Sequence, residues 1–140
     1  MRTLSRHYDL AIFTAAEQVY ADLILQRISQ ATTKEPAFQF KYKKYREHCQ
    51  RVSLGKRQFL VKNLDVFLDY GLDLNNVVII DNLPVSYIKN KQNGIPIKSF
   101  YGEPDRELFK LLHYLLTFDP RAPLASQNLF HNDNINLFEN

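Results

Sequence analysis

Residues 77–82, Val-Val-Ile-Ile-Asp-Asn, constrain the fold of this 140-residue chain more than any other stretch. Four consecutive apolar residues predict a strand that is buried on both faces, which is typical of a parallel sheet. Leu83-Pro84 follows at once and favours a turn. Open α/β sheets bind ligands at the carboxyl ends of their strands, so we expect Asp81 and Asn82 in a ligand site.

Composition is that of an ordinary globular protein. Hydrophobic residues make up 45% of the chain, the net charge is +3, and 140 residues suffice for one domain with a core. The single cysteine, Cys49, excludes an internal disulfide and a cysteine-rich metal site, which suits a reducing compartment. No apolar run approaches the ~18 residues of a membrane span and no targeting peptide is evident, so we expect an intracellular protein without a membrane span.

The densest basic cluster, Lys41–Arg46, interleaves cations with tyrosines. Such a pattern can bind RNA. It also fits a strand with one solvated face, whose tyrosines pack inward. We favour the strand and expect no nucleic-acid partner.

The N-terminal pattern predicts a strand followed by a helix. Tyr8–Phe13 is a predicted buried strand that ends at Thr14. Thr14 precedes Glu17 by the spacing of a capping box, so its hydroxyl either caps the helix or faces a ligand. A helix is predicted over 17–29 from the apolar stripe Val19, Leu23, Ile24 and Ile28.

A small antiparallel β insertion is predicted over about 37–61. Ala37–Tyr45 roughly alternates apolar and polar residues, which indicates a strand. Its expected partner is 59–61, across a turn at 54–56.

Further elements follow the insertion. A short helix from Asn63 to about Tyr70 is expected to stop at Gly71. Ile95–Ile97 is a predicted edge strand, since proline cannot donate to a ladder. An amphipathic helix is predicted over 104–117, with Pro104 near its first position and a stripe formed by Leu108, Leu111, Leu112 and Leu115.

These patterns divide the chain into a domain over 1–118 and an extended tail over 119–140. The tail shows no periodicity and would be disordered by itself. We expect its apolar residues to dock either on this domain or on a partner; they are Leu129, Phe130, Leu137 and Phe138.

Five ordered segments carry a family resemblance: 11–22, 45–49, 61–64, 78–87 and 93–102. On these motifs the chain resembles the FCP-type, or NLI-interacting-factor-like, domain of RNA polymerase II C-terminal-domain phosphatases, in the haloacid-dehalogenase superfamily. The resemblance covers about residues 8–117. It implies an α/β fold with a Rossmann-like parallel sheet that carries the small antiparallel insertion.

The resemblance also implies roles for four residues. Thr14 matches the residue that holds the phosphoryl group, and Lys62 matches the lysine that neutralises the charge on a phosphoaspartate. Asp81 and Asn82 match a pair that helps to bind Mg²⁺. A hard cation prefers oxygen ligands, and a transferring phosphoryl group needs fixed positive charge. Taken singly, Lys62 could be an exposed lysine and Asp81 a turn cap.

The family's first motif, Asp-x-Asp-x-Thr, is not found in this sequence. In the family it supplies the nucleophile and the general acid/base, upstream of the segment matched by residues 8–14. We therefore expect an N-terminally truncated domain that lacks the first catalytic strand, so that Ile12 and Ile79 lose their cover on one side. No cofactor is expected, unless the motif is supplied in trans and completes a Mg²⁺ site.

Two functions remain open. The favoured one is a non-catalytic, phosphatase-like structural or interaction subunit of a larger protein complex. The alternative is a Mg²⁺-dependent protein Ser/Thr phosphatase whose nucleophile strand comes from another segment or chain. The sequence therefore leaves enzyme status open and leans towards none. A mitochondrial assembly is favoured over nucleus or cytoplasm, because the resembling domain also occurs in a receptor subunit of the mitochondrial inner-membrane translocase.

Overall fold

The computed structural model describes residues 1–30 and 39–131. The chain divides into two compact units, residues 1–50 and 51–140, and the second is described as far as residue 131. Helices and small parallel and antiparallel sheets make up the described chain, as predicted for an α/β protein. None of the helices within the described ranges has the length and apolar character needed to cross a membrane.

The first unit is a short strand–helix–strand arrangement. Its elements are α1 (Arg2–Ser5), β1 (Ala11–Phe13), α2 (Gln18–Gln30), β2 (Tyr42–Lys44) and a 3₁₀ turn, Arg46–His48. Strands β1 and β2 pair in parallel, as expected where a helix connects them. The predicted strand and helix are thus both present, although β1 covers only the end of the predicted Tyr8–Phe13.

The pairing expected between Ala37–Tyr45 and 59–61 is wrong. The described part of the first segment forms β2, which lies beside β1 with Ala11 opposite Tyr42. Alternating polarity shows that a strand has two different faces but does not identify its neighbour. Here the crossover through α2 returns the chain to β1. Residues 31–38, including the start of the predicted strand, lie outside the described residues.

The apolar stripe of α2 is largely exposed. The exposed fractions of Val19 and Leu23 are 77% and 53%, whereas Ala21 on another face is only 7% exposed. The periodicity correctly predicts the helix, but it does not predict which face is covered.

The second unit opens with a hairpin. Strand β3 (Gln50–Leu54) pairs with β4 (Arg57–Val61), and the turn between them uses Gly55 at φ 59°. The antiparallel element is therefore narrower than the predicted 37–61. A 3₁₀ helix, Leu64–Tyr70, follows.

The ends of this 3₁₀ helix have the predicted chemistry. The Asn63 side chain accepts a hydrogen bond from the Asp65 amide. The helix ends at Gly71, whose φ of 72° lies in the left-handed region. Asparagine at the start and a left-handed glycine at the end are both local signals, which explains why sequence alone finds them.

The predicted buried strand is β5 (Ile79–Asp81), which pairs in parallel with β6 (Gly94–Pro96). A 3₁₀ turn, Leu74–Asn76, precedes β5, and the kinked 3₁₀ segment Pro84–Asn93 connects the two strands. Ile79 is 8% exposed, so the expected loss of its cover is not observed, while Ile12 in the first unit is half-buried.

Helix α3 (Glu107–Leu116) begins later than predicted. The Asp105 side chain accepts from the Glu107 amide at 3.0 Å, and this local turn excludes Pro104 from the helix. Only part of the leucine stripe packs inward, since Leu115 is 4% exposed and Leu108 is 63% exposed.

The described part of the C-terminal segment contains α4 (Leu124–Gln127) and a 3₁₀ turn, Leu129–His131. Asn128 is fully buried, and its Nδ2 donates to the carbonyls of Gln92 and Gly94 at 3.0 and 2.7 Å. The Phe130 ring packs edge-on against Tyr114, whereas Leu129 is exposed. The other two residues expected to dock, Leu137 and Phe138, lie outside the described residues.

Candidate functional site

A buried ion pair lies at the carboxyl end of β5. Asp81 Oδ2 accepts from Lys62 Nζ at 2.5 Å, and its Oδ1 accepts from the Leu83 amide at 2.8 Å. The Asp81 side chain is 5% exposed and that of Lys62 is 15% exposed. Both oxygens of the carboxylate are thus bonded within the chain, and the lysine retains some access to solvent.

Lys62 directly follows strand β4, which positions it beside Asp81. Val61, the last residue of β4, is fully buried, and the Lys62 backbone amide donates to the Ser86 carbonyl at 2.6 Å. Ser86 belongs to the Pro84–Asn93 segment, which begins directly after β5. The backbone of Lys62 is therefore fixed by the same turn that follows Asp81.

Asn82 directly follows Asp81 and is exposed. Its Nδ2 donates to Ser99 Oγ at 3.0 Å, while the Ile97 amide donates to the Asp81 carbonyl at 3.1 Å. Residues 97–99 thus orient the amide of Asn82. Of the four predicted site residues, Lys62 and Asp81 are in direct contact, and Asn82 adjoins them in sequence.

Tyr87 is a neighbour of the site that sequence reasoning did not single out. It is fully buried, and burial, together with the nearby charge of Asp81, raises the pKa of Tyr87 to about 12. Its ring lies against Gly94, where an added Cβ would come within 2.1 Å of Tyr87 Cε2. The sequence signal for this contact is Gly94, since glycine lets another group approach its backbone closely.

Thr14 lies in the first unit, directly after β1. Its Oγ1 accepts from the Ala16 amide at 3.1 Å, and its own amide donates to the Lys44 carbonyl at 3.0 Å. The expected capping box with Glu17 is not formed, because the hydroxyl closes a turn one residue earlier. The phosphate-binding role of Thr14 remains a prediction.

Mg²⁺ requires several oxygen ligands in near-octahedral geometry. Asp81 and Asn82 could supply only a carboxylate and one amide oxygen, and each oxygen of the Asp81 carboxylate already accepts one hydrogen bond, from Lys62 or Leu83. Across residues 1–30 and 39–131, no group of three His, Cys, Asp or Glu side chains is placed to hold a metal ion. Asp81 and Asn82 alone therefore do not form a Mg²⁺ site. The charged groups available here are the ammonium of Lys62 and the carboxylate of Asp81.

Two cations of the basic cluster, Lys41 and Arg46, have hydrogen-bond partners within the first unit. Lys41 Nζ binds Asp9 at 2.6 Å, and Arg46 binds the Ala15 carbonyl at 2.7 Å. Tyr45 is buried, which raises its pKa to about 12, and it donates to Asp22 at 2.8 Å. Residues 42–44 of this cluster form β2, so the predicted strand is present, and the absence of a nucleic-acid partner stays a prediction.

The chain is similar in sequence to a phosphatase family and to proteins of which several are named phosphatases. Residues 1–122 match the family described as NLI interacting factor-like phosphatase. CTD small phosphatase-like protein 2 of Dictyostelium discoideum is 37% identical over 116 residues, covering 82% of this chain and 18% of that protein. CTD nuclear envelope phosphatase 1B of Danio rerio is 33% identical over 116 residues, covering 82% of this chain and 42% of that protein.

A third relative, nuclear envelope morphology protein 1 of Schizosaccharomyces pombe, is 33% identical over 116 residues, covering 82% of this chain and 22% of that protein. The chain thus spans less than half the length of these three relatives. The mitochondrial assembly expected from the sequence is wrong, because two of these three relatives are named for the nuclear envelope. With a match that covers residues 1–122, this chain belongs to the family of NLI interacting factor-like phosphatases.

Proposed function

We propose that this chain is the phosphate-orienting part of a protein Ser/Thr phosphatase domain. In this role Lys62 neutralises charge on the phosphoryl group, and Asp81 holds the lysine in position. The observation that carries the proposal is the buried contact between Lys62 Nζ and Asp81 Oδ2 at 2.5 Å. A fixed cation beside a transferring phosphoryl group stabilises the transition state without reorganisation at the moment of reaction.

The pair is better explained by function than by stability. Breaking a buried ion pair is destabilising, yet replacing the whole pair by apolar residues is often neutral or stabilising, so its presence is weak evidence for a stabilising role. The exposures differ in the direction that function requires, because Asp81 is covered and Lys62 keeps 15% of its side chain accessible. An incoming phosphate can therefore meet the lysine and not the carboxylate that would repel it.

The nucleophile must come from elsewhere under this proposal. Transfer of the phosphoryl group to the protein needs a carboxylate that is available to attack. The carboxylate of Asp81 is bonded by Lys62 and Leu83, which leaves it unsuited to that task. We therefore place the acceptor in another segment of the protein or in another chain, in agreement with a chain that spans part of its relatives.

Phosphate release from p-nitrophenyl phosphate and from a phosphoserine peptide tests the proposal. The 140 residues alone should give background rates, and fusion of an Asp-x-Asp-x-Thr strand ahead of residue 1 should give activity. In the fusion, Lys62→Met should lower kcat by about 100-fold, the effect of removing one preorganised charge-stabilising group. Lys56→Met, in the exposed β3–β4 turn, is the matched control and should leave kcat unchanged.

A non-catalytic subunit is the second candidate, and one observation favours it. Within the chain Asp81 already has hydrogen-bond partners for both oxygens, so the pair is complete without a ligand. This function predicts background rates in the fusion as well, with no difference between the Lys62→Met and Lys56→Met variants. Activity in the fusion that depends on Lys62 excludes it.

We also propose that the protein acts at the nuclear envelope, on the basis of the two relatives named for that compartment. A fluorescent fusion of the full-length protein should label the nuclear rim. Diffuse nucleoplasmic or cytoplasmic signal would contradict this proposal without bearing on the phosphatase chemistry.

A further inference from the structure

The link, defined here as residues 62–64, runs from the end of β4 into the first residue of the 3₁₀ helix Leu64–Tyr70. The first amide of the link, that of Lys62, donates to the Ser86 carbonyl at 2.6 Å. The last amide, that of Leu64, donates to Asn90 Oδ1 at 2.9 Å. Both acceptors belong to the Pro84–Asn93 segment, so one segment holds the link at its two ends.

The bond from Leu64 to Asn90 lies in the interior of the second unit. Leu64 is 1% exposed and Asn90 is 8% exposed. Water cannot readily replace a buried partner, so loss of the Asn90 oxygen would leave the Leu64 amide unsatisfied. The backbone departs from helical geometry at Asn90, with φ −130° and ψ 54°, where its side chain reaches across to the link.

The Pro84–Asn93 segment also controls the other half of the ion pair. It begins three residues after Asp81, and the Leu83 amide just before it binds Asp81 Oδ1 at 2.8 Å. Leu83 therefore binds the carboxylate of Asp81, and the segment that follows Leu83 binds the backbone of the link.

We propose that Asn90 is a positioning residue that holds Lys62 against Asp81 through the amide of Leu64. Asn90 does not touch the phosphoryl group; it fixes the backbone from which the lysine projects. The catalytic consequence rests on the proposed phosphatase function, but the positioning itself does not. Its direct consequence is a slower exchange of the Lys62 ammonium protons with water.

NMR of the chain labelled with ¹⁵N-lysine measures this exchange, with Lys62→Arg assigning the signal. Asn90→Leu keeps the approximate volume and removes the acceptor. It should speed exchange of the Lys62 ammonium protons by about tenfold, the factor expected if the free energy of the Leu64–Asn90 hydrogen bond is transmitted in full to the Lys62–Asp81 contact. Asn90→Asp keeps an oxygen at the same position and should preserve the slow exchange. Asn128→Ala, which removes a different buried carboxamide, controls for general destabilisation and should also preserve it.

Unchanged Lys62 exchange in a folded Asn90→Leu variant would overturn the proposal, as would equal acceleration in Asn128→Ala. If Asn90→Leu fails to fold, hydrogen exchange of the Leu64 amide is measured in the unaltered chain. Protection of this amide supports the bond to Asn90, and exchange at the rate of an unfolded peptide refutes it. A fusion that lacks phosphatase activity but shows the expected exchange pattern would refute the proposed function and leave the positioning role intact.

Discussion

The two units carry similar sequence signals but bury them to different extents. In the first unit, Val19, Leu23 and Ile28 of α2 are 77%, 53% and 46% exposed. In the second, Leu64 and Tyr87 are 1% and 0% exposed. Periodicity identifies the face of a helix that is apolar, but burial depends on what lies opposite. Helical apolar stripes are largely exposed in both units, at Val19 and Leu23 of α2 and at Leu108 of α3, whereas the core of the second unit includes Leu64 and Tyr87, which lie outside such a stripe.

Polar contacts follow the same division. The Lys41–Asp9 pair of the first unit is more than half exposed on both sides, whereas the Lys62–Asp81 pair of the second is nearly covered. Exposed ion pairs contribute little to the free energy of unfolding, whereas breaking a buried ion pair is strongly destabilising. We therefore expect the second unit to dominate the measured stability of the chain.

Breaking the buried pair should give the largest effect. Lys62→Met leaves the Asp81 carboxylate buried without its cation, which should lower the free energy of unfolding by about 4 kcal/mol. The double variant with Asp81→Asn should recover part of this loss, since the uncompensated charge is gone. Urea unfolding measures both; a loss below about 1 kcal/mol would show that the carboxylate is solvated after all.

Two leucine truncations test the comparison directly. Leu64→Ala opens a cavity in the core of the second unit and should cost about 3 kcal/mol. Leu23→Ala removes the same atoms from an exposed face of α2 and should change stability by less than about 0.5 kcal/mol. Equal losses in urea unfolding would mean that the α2 stripe is covered in solution.

Asn128→Ala should have an intermediate effect. It leaves the carbonyls of Gln92 and Gly94 without the donor that now reaches them at 3.0 and 2.7 Å. An unsatisfied buried acceptor costs about 2 kcal/mol. Accelerated amide exchange confined to residues 114–131, measured alongside urea unfolding, would show that the anchor serves this segment rather than the whole unit.

Alkaline pH should destabilise both units. Burial raises the pKa of Tyr45 and Tyr87 from 10.0 to about 12, so each folded unit keeps a proton that the unfolded chain releases. The resulting stabilisation is complete below pH 10 and is lost as pH rises towards 12. Urea midpoints should fall over this range, and Tyr87→Phe should flatten the fall; an unchanged slope would contradict the assignment to Tyr87.

Local chemistry explains what could be predicted. Asn63 and Gly71 bound the 3₁₀ helix as expected, because a cap and a left-handed turn depend on adjacent backbone. The apolar run before Asp81 predicted β5, since few structures accommodate such a run. The predicted start of α3 at residue 104 is wrong because the Asp105 side chain accepts from the Glu107 amide. This bond is as local as the cap at Asn63, but here it holds residues 104–106 outside the helix.

The sequence by itself determined the family and the strand that ends at Asp81. The tertiary structure decided that β2 pairs with β1, that the α2 stripe stays exposed and that Lys62 meets Asp81 across 19 residues of chain. Elements follow from interactions between neighbouring residues, which a sequence displays. Which strands pair and which side chains meet depends on burial and on hydrogen bonds between residues that are far apart in the sequence.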